Sequence, residues 1–281
     1  MGTSSGLKLA GWGLWFYQVS GLRWLARQTG LVARIGGVGL AGWEGALPRA
    51  ASPLRRARAR RQRVTRVAGA RRLKVGFFLG CLSEIAFFET NQHAIEVLAA
   101  AGCEVTVVPG QGCCGAVLKE YGHHFRTDPQ WAERAATYSA RCRDFAELVG
   151  ELAPLPFGPL SGRITYQDSC HLRNVQKVVS QPRQLLRSIP GVEYVELPEA
   201  DHCCSAAGTY AMTHARMADD LLDQKMAHVR QTRATTVVVA NPPCALEMME
   251  GVQRAGLAGQ VQVMHIADVL AEAVRAGRKR E

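Results

Sequence analysis

The feature that most constrains the fold is a cysteine pattern that occurs twice. Cys81 follows a short predicted strand, and the adjacent pair Cys113–Cys114 comes after it. Cys170 also follows a predicted strand, and the adjacent pair Cys203–Cys204 comes after it with a gap longer by a single position. A doublet that recurs at nearly the same spacing predicts two homologous modules.

Residues from Lys74 onward alternate short apolar runs with longer helical periods, which predicts an α/β fold with mostly parallel sheets. We expect strands at 74–79, 104–108, 163–167, 192–196, 235–240 and 261–264. We expect helices at 85–101, 130–150, 182–189, 209–231, 245–255 and 266–276. In each module the first cysteine and the doublet then lie past the carboxyl ends of neighbouring strands, the edge where α/β sheets bind ligands.

The segment 1–74 differs from the rest of the chain in charge. It holds 15 Lys and Arg against the single acid Glu44, a charge of +14, whereas the remaining chain carries 19 basic and 23 acidic groups. Helically spaced apolar residues in 1–48 predict short amphipathic helices, and 49–72 predicts an Arg-rich linker. A basic arm of this kind is typical of contact with a membrane surface, a nucleic acid or an acidic partner, and a solvated linker is the alternative.

Charged residues also bear on where the chain functions. Lys8, Arg23, Arg27 and Arg34 interrupt the apolar N-terminus, so we predict no transmembrane helix. Residues 9–22 resemble the core of a signal peptide, but the arginines and the lack of a small-x-small cleavage site argue against export. The 9 cysteines in 281 residues are too sparse for a disulfide-rich secreted module, and we expect a cytoplasmic protein.

The second module carries a fourth cysteine, Cys244, directly after the strand predicted at 235–240. Soft thiolate ligands select zinc, copper(I) or iron–sulfur clusters, and zinc sites more often show C-x-x-C pairs, which this chain lacks. Four thiolates suffice for one 4Fe-4S cluster. The predicted ligands in this module are Cys170, Cys203, Cys204 and Cys244. Cys103 and Cys142 lack such a motif, so we interpret them as packed cysteines.

Other motifs carry less information. The chain has no glycine-rich nucleotide motif and no H-E-x-x-H, so we expect neither a bound flavin or nucleotide nor zinc protease activity. His171 and His202 each neighbour a cysteine and either hydrogen-bond a sulfur or serve as ordinary strand-end residues. We expect Asp168 to bond backbone amides of its turn.

Longer motifs carry a family resemblance. They are Gly80-Cys81, QGCCGA at 111–116, LKEYGHHF at 118–125, DSCHL at 168–172, HCCSAAGTY at 202–210 and NPPC at 241–244. Through them, residues 73–276 resemble the cysteine-rich CCG-domain family. This family includes a cysteine-rich subunit of heterodisulfide reductase, lactate-utilisation iron–sulfur proteins and the glycolate oxidase iron–sulfur subunit. Residues 14–48 resemble the helical connector of glycolate oxidase iron–sulfur subunits, which favours that subclass.

The resemblance implies an α/β chain of two CCG modules behind a basic helical connector. The expected boundaries are 1–72 for connector and linker, 73–160 for the first module and 161–281 for the second. It also implies cluster ligation by Cys81, Cys113 and Cys114 in the first module, beside the four cysteines of the second.

The implied function is that of an iron–sulfur electron-transfer subunit of a glycolate or lactate oxidase complex, an oxidoreductase. FAD-containing subunits would be its partners, and electrons would pass towards a quinone, with peripheral contact to the inner face of the membrane. The ferredoxin-like domain that precedes the connector in this subclass is not in the chain. The alternatives are a truncated gene product, a partial reading frame, or a ferredoxin-like partner that is a separate polypeptide.

The sequence departs from the family pattern in three places. A predicted helix and strand separate Cys204 from Cys244, whereas Cys114 runs directly into the segment that normally follows the later cysteine. The first module is therefore expected to be shortened, with Cys142 as its only further ligand candidate and a weakened site. Ser205 and Pro243 replace glycines, and proline also removes an amide donor.

Two other functions stay open. One is a thiol–disulfide redox subunit similar to heterodisulfide reductase. The other is a decayed, non-catalytic paralogue whose Arg-rich segment contacts nucleic acid, although no nucleic-acid partner is expected for the main hypothesis. No catalytic residue is assigned.

Overall fold

The structure is a computed structural model that describes residues 4–61, 64–65, 73–109, 115–207 and 210–279. The connector forms α1 (Ser4–Val19), α2 (Leu22–Gln28) and α3 (Leu31–Ala46), and the linker contains α4 (Pro53–Arg61). Gly37, with φ of 75°, kinks α3. Across these described ranges, no helix combines the length and the apolar character needed to cross a membrane.

The connector helices are fastened around the buried carboxylate of Glu44. Arg23 Nε donates to its Oε1 at 2.8 Å, and Arg27 Nε donates to its Oε2 at 2.9 Å. Arg23 Nη2 also donates to the Glu44 carbonyl at 2.7 Å, near the carboxyl end of α3. Cations at this end satisfy carbonyls that have no helical partner and interact favourably with the helix dipole.

The first module contains a small sheet of order β1-β3-β2. Its strands are β1 (Val64–Thr65), β2 (Leu73–Phe77) and β3 (Cys103–Val107). β2 and β3 are parallel, and β1 runs antiparallel to β3. The helices of this module are α5 (Cys81–Ala86), α6 (Phe88–Ala100), α7 (Gly115–Lys119), α8 (Tyr121–His124), α9 (Ala132–Arg141) and α10 (Phe145–Leu152).

The second module contains a parallel sheet of order β5-β4-β6-β7. Its strands are β4 (Gly162–Tyr166), β5 (Val192–Tyr194), β6 (Thr236–Val239) and β7 (Gln262–His265). Its helices are α11 (Cys170–Asn174), α12 (Ser180–Arg187), α13 (Tyr210–Thr213), α14 (Ala215–Thr232), α15 (Pro242–Arg254) and α16 (Ile266–Arg278). Every residue of the central strand β6 is buried, as expected for a strand covered on both faces.

The two modules share a hydrophobic core where α6 packs against α16. Leu98 of α6 and Leu270 of α16 belong to the same buried cluster. His93 Nδ1 lies 2.7 Å from Asp268 Oδ1, and Arg275 Nη2 donates to Glu96 at 2.5 Å across the same boundary. This packing holds the second module against α6 of the first module.

The α/β fold and the mostly parallel sheets confirm the predicted fold class, and each predicted strand overlaps an observed one. The helices predicted at 85–101, 130–150 and 209–231 are each divided in two, the last of them at His214 with φ of −130°. Phe87, with φ of −116° and ψ of 41°, separates α5 from α6, and Asp144 starts α10 with a capping box. The first sheet, in the part of the chain that is described, has no counterpart of β6, which agrees with a shortened first module.

Candidate functional site

Three strand ends of the second sheet carry the cysteines predicted for that module. Cys170 begins α11 just beyond β4, and Cys244 lies in the first turn of α15 just beyond β6. Cys203 and Cys204 lie in the loop between β5 and α13. Because β4 lies between β5 and β6 in a parallel sheet, these ends meet at one edge.

The four cysteines follow one another as a row of neighbouring thiols. Cys203 lies next to both Cys170 and Cys204, and Cys204 lies next to Cys244, close enough for these neighbours to shift the pKa values of Cys203 and Cys204. Cys170 is exposed, Cys203 is half-buried, and Cys204 and Cys244 are buried. The row therefore runs from the protein surface into the core.

This packing raises the pKa of both members of the doublet. The neighbouring Cys204 thiol is the main cause of the raised pKa of Cys203, and burial adds to it. For Cys204 the neighbouring Cys203 thiol lowers the pKa, but the Cys244 thiol and burial outweigh it, so the pKa lies well above its ordinary value. These thiols are neutral at neutral pH, whereas metal coordination would deprotonate them.

The doublet loop directs backbone amides at its own sulfurs. Ser205 N donates to Cys203 Sγ at 3.3 Å, and the Ala206 amide lies beside the Cys204 sulfur, where it lowers the pKa of that thiol. Ser205 has φ of 74°, a conformation that favours glycine. The serine thus adopts the conformation for which a glycine would be suited, and the amide donors are the kind that tune cluster potentials.

Gln167 fastens the doublet loop to the end of β4. Its buried Nε2 donates to the carbonyls of Ala200 at 2.9 Å and His202 at 3.0 Å. It also donates to the Asp168 carbonyl at 2.9 Å. The strand that leads to Cys170 thereby fixes the loop that carries the doublet.

Asp168 has a different role from the one predicted. Its side chain is 2% exposed and accepts hydrogen bonds from Arg183 Nη1 at 2.7 Å and Arg173 Nη1 at 2.9 Å. The expectation that it bonds backbone amides is wrong, because two arginines occupy both carboxylate oxygens. The resulting ion-pair cluster holds α11 and α12 beside Cys170.

A buried lysine lies near the doublet. Lys225 of α14 is 3% exposed, and its Nζ donates to the Glu199 carbonyl at 2.6 Å. Burial lowers the pKa of Lys225, while the nearby Cys204 sulfur and Glu199 oppose that shift. A buried cation beside thiols is suited to an anionic group at this edge.

The connector reaches the same edge through a buried carboxylate. Trp43 Nε1 of α3 donates to Glu247 Oε2 at 2.5 Å, and Ser205 Oγ donates to Glu247 Oε1 at 2.7 Å. Sequence reasoning missed Glu247 and Lys225. Both stand at positions where their helices otherwise bury apolar residues, which is the signal that could have identified them.

The two histidines beside cysteines contact other groups. His202 is exposed, and its Nδ1 lies 3.0 Å from Glu199. The buried His171 Nε2 has no hydrogen-bond partner within the described part of the chain. The structure supports neither histidine as a donor to sulfur.

The described cysteines of the first module lie on separate elements. Cys81 is exposed at the start of α5, Cys103 is buried in β3, and Cys142 follows α9 beside Tyr138. Burial is the main cause of the raised pKa of Cys142. The predicted ligands Cys113 and Cys114 lie outside the described residues.

The donor set of the second module fits an iron–sulfur cluster. Four cysteine thiols with amide donors and a buried cation are the ligand chemistry of such a group. No three His, Cys, Asp or Glu side chains in the described ranges converge on a single metal ion. A row of thiols that contact only their neighbours is consistent with that finding, since each cysteine of a four-iron cluster binds a different iron.

Comparisons with known proteins agree with this chemistry. The Cysteine-rich domain (CCG) family matches residues 75–141 and 164–249, which together make up more than half of the chain. The linker region of the glycolate oxidase iron–sulfur subunit matches residues 4–47. The first CCG match is shorter than the second, which agrees with a shortened first module.

Similar proteins carry related names. The chain is 36% identical over 308 residues to a probable glycolate oxidase iron–sulfur subunit of Bacillus subtilis, covering 94% of this chain and 68% of that protein. It is 29% identical to lactate utilization protein A of Oceanobacillus iheyensis, covering 70% of this chain and 96% of that protein. It is 30% identical to lactate utilization protein A of Geobacillus kaustophilus, covering 70% of this chain and 98% of that protein.

Both family matches, the repeated cysteine pattern and the thiols gathered at one sheet edge lead to the same assignment. The chain belongs to the family of cysteine-rich CCG-domain proteins and carries the linker region of glycolate oxidase iron–sulfur subunits.

Proposed function

We propose that this protein is an iron–sulfur electron-transfer subunit of a complex that oxidises a 2-hydroxy acid such as glycolate or lactate. The observation that carries the proposal is the row of four thiols at one edge of the second sheet. The names of its relatives, a glycolate oxidase iron–sulfur subunit and lactate utilization proteins, support the substrate class. In this proposal, carbon chemistry occurs on a partner subunit.

The proposed ligands are Cys170, Cys203, Cys204 and Cys244. When bound, a 4Fe-4S cluster supplies one-electron transfer. The exposed Cys170 forms the solvent end of the site, Lys225 compensates negative charge from inside, and the Ser205 amide bonds a ligand sulfur. In the first module, Cys81, Cys113 and Cys114 are candidate ligands of a weakened site, which we do not expect to retain iron in the purified protein.

The direct test measures iron and acid-labile sulfide on anaerobically purified protein, with electron paramagnetic resonance of both redox states. We expect about four of each per chain, and their loss in a Cys203→Ser plus Cys204→Ser variant. Cys103→Ala is the matched control, since it removes a buried cysteine that belongs to a different core cluster from Cys204 and Cys244, and it should retain the iron. Folded protein without iron would contradict the proposal, and about eight irons would assign a second cluster to the first module.

The proposed partner is an FAD-containing subunit that passes electrons from the hydroxy acid through this chain towards a quinone or similar acceptor. Adding glycolate or lactate to the two subunits together should bleach the visible absorbance of the cluster. Without the flavin subunit, the same substrate should leave the absorbance unchanged. Bleaching without that subunit would contradict the proposal that the hydroxy acid is oxidised on the flavin subunit.

One observation favours a second candidate, a thiol–disulfide redox subunit. The exposed Cys170 thiol lies beside Cys203 and influences its pKa, so two thiols are neighbours at the protein surface. Their oxidation to a disulfide would release two electrons and two protons, which would reduce a substrate disulfide to two thiols. Oxidised glutathione, as the probe, should then yield a Cys170–Cys203 disulfide detectable by peptide mass spectrometry, and Cys170→Ser should abolish it.

The connector suits peripheral attachment to an anionic membrane surface. Exposed apolar residues follow one face of α1, namely Leu9, Trp12, Phe16 and Val19. Glu44, the only acid within 1–74, is buried in ion pairs, so the exposed connector carries cations without carboxylates. Aromatic residues beside cations are typical of interfacial helices.

Sedimentation with vesicles tests this attachment. Phosphatidylglycerol-containing vesicles should pellet the protein, phosphatidylcholine vesicles should pellet less, and raised salt should release it. Trp12→Ser with Phe16→Ser should weaken the binding. Equal binding to both vesicle types would contradict it. The cytoplasmic location and the boundaries at 72 and 160 stay predictions.

A further inference from the structure

Trp43 and Ser205 are joined through one buried carboxylate. Glu247 is 2% exposed and accepts one hydrogen bond on each oxygen, from Trp43 Nε1 at 2.5 Å and from Ser205 Oγ at 2.7 Å. Both donors are buried as well. The tryptophan belongs to the connector and is far from the glutamate along the chain.

Ser205 is the residue through which this contact reaches the sulfurs. Its backbone N donates to Cys203 Sγ at 3.3 Å, and its positive φ of 74° is unfavourable for a serine. The hydroxyl bond to Glu247 opposes relaxation of that conformation. The peptide that bonds the sulfur is thus held by a carboxylate, and the carboxylate is held by the connector.

We infer that Trp43 is a positioning residue that sets the amide–sulfur hydrogen bond at the thiol row, so that the connector adjusts the electron affinity of the site. The part of this inference that concerns electron affinity rests on the proposed function, whereas the part that concerns the loop does not. An amide donor to a ligand sulfur favours the more negative, reduced state and therefore raises the potential.

Three disrupting variants, a rescue and a control test the contact. Trp43→Phe keeps the ring and removes the donor, and Ser205→Ala keeps the backbone and removes the hydroxyl. Glu247→Gln can still accept from Trp43 and donate to the Ser205 hydroxyl, so it is the conservative rescue that Glu247→Leu lacks. Trp15→Phe, in the same connector and half-buried, is the matched control.

The first measurement is amide hydrogen exchange over residues 203–207 in protein stripped of metal. We expect faster exchange in Trp43→Phe, Ser205→Ala and Glu247→Leu, with Glu247→Gln and Trp15→Phe close to wild type. Exchange that is unchanged in Trp43→Phe would overturn the inference, whether or not the protein binds iron.

The second measurement is the midpoint potential of the metal-loaded protein, titrated by electron paramagnetic resonance. We expect the three disrupting variants to lower the midpoint potential. The shift should be at most about 59 mV, which corresponds to a tenfold change in the ratio of reduced to oxidised cluster for one electron. Trp43→Phe combined with Ser205→Ala should shift it no further than the larger single change, since both act through Glu247. Additive shifts would overturn the inference, while a wild-type protein without iron would overturn the proposed function alone.

Discussion

Replacing Asp168 with alanine tests whether a buried ion-pair cluster holds the segment that carries Cys170. The Asp168 side chain is 2% exposed and accepts hydrogen bonds from Nη1 and Nη2 of Arg183, at 2.7 and 3.0 Å. Arg173 adds a third bond at 2.9 Å. Alanine would leave two cations without their shared partner at the end of β4.

The expected cost follows from the burial of these partners. Removing one member of a buried ion pair costs about 3–5 kcal/mol. In the variant, Arg183 would still have its ion pair with Glu196 at 2.6 Å, and Arg173 is 32% exposed. We therefore expect a cost at the lower end of that range. With a urea dependence of about 3 kcal/mol per molar, the unfolding midpoint would fall by about 1 M.

Urea unfolding followed by circular dichroism measures this change. Asp201→Ala is the matched control, because Asp201 is 49% exposed and lies 3.6 Å from the same Arg173. Its loss should cost no more than about 1 kcal/mol. Equal midpoints for the two variants, or a loss below about 1 kcal/mol for Asp168→Ala, would refute the reasoning from burial.

Three further substitutions have expected outcomes. Lys225→Met should lower the cluster potential in a redox titration, because it removes the buried cation near the reduced site, and an unchanged potential would count against that role. Burial raises the pKa of Glu250 from 4.5 to about 7, so its contribution to stability is present at low pH and is lost as the pH rises through that interval. Glu250→Gln should therefore gain thermal stability relative to wild type between about pH 5 and pH 7, and a constant difference would contradict this. Gly158→Ala should destabilise by about 1–3 kcal/mol, since its Cβ would lie 2.3 Å from the Ala276 backbone, whereas Gly13→Ala, with nothing within 4 Å, should not.

Most of the second module could be predicted from sequence because hydrophobic pattern and cysteine spacing are local signals. The apolar run at 235–240 corresponds to β6, and the cysteines after three strands meet because parallel strands share an edge. The break at Phe87 could not be predicted, since apolar periodicity continues through that residue and no proline or glycine marks it. The start of α10 could have been predicted, because Asp144 and Glu147 have the spacing of a capping box.

The effect of Pro243 depends on its position in the helix. From the sequence alone, this proline is expected to remove an amide donor near Cys244. In the structure it lies in the first turn of α15, where an amide has no partner within the helix and the fixed φ of proline suits the start. The substitution is therefore compatible with the fold.

Contacts between distant segments set the limit of prediction. Nothing in the residues around Trp43 indicates a partner in α15, and nothing around Asp168 indicates that its oxygens are taken by Arg183 rather than by turn amides. Such pairings depend on how the connector and helices pack after the strands have formed. They also determine the electrostatics of the site, so its chemistry is less predictable than its location.

We expect a cysteine at the end of a strand to have a different role in each of the two modules. In the second module, three strand ends supply the thiols, and Cys244 depends on β6 for its place. In the described part of the first module only β2 and β3 run parallel, so a cysteine equivalent to Cys244 has no strand to present it. Cys81 is exposed at the start of α5, and the described part of its module holds no cysteine at the end of a strand equivalent to β6. We expect Cys81→Ser to keep the wild-type iron content and Cys170→Ser to lose most of it, with anaerobic iron analysis as the measure. Loss of half the iron in Cys81→Ser would instead mean that the shortened module still assembles a site of its own.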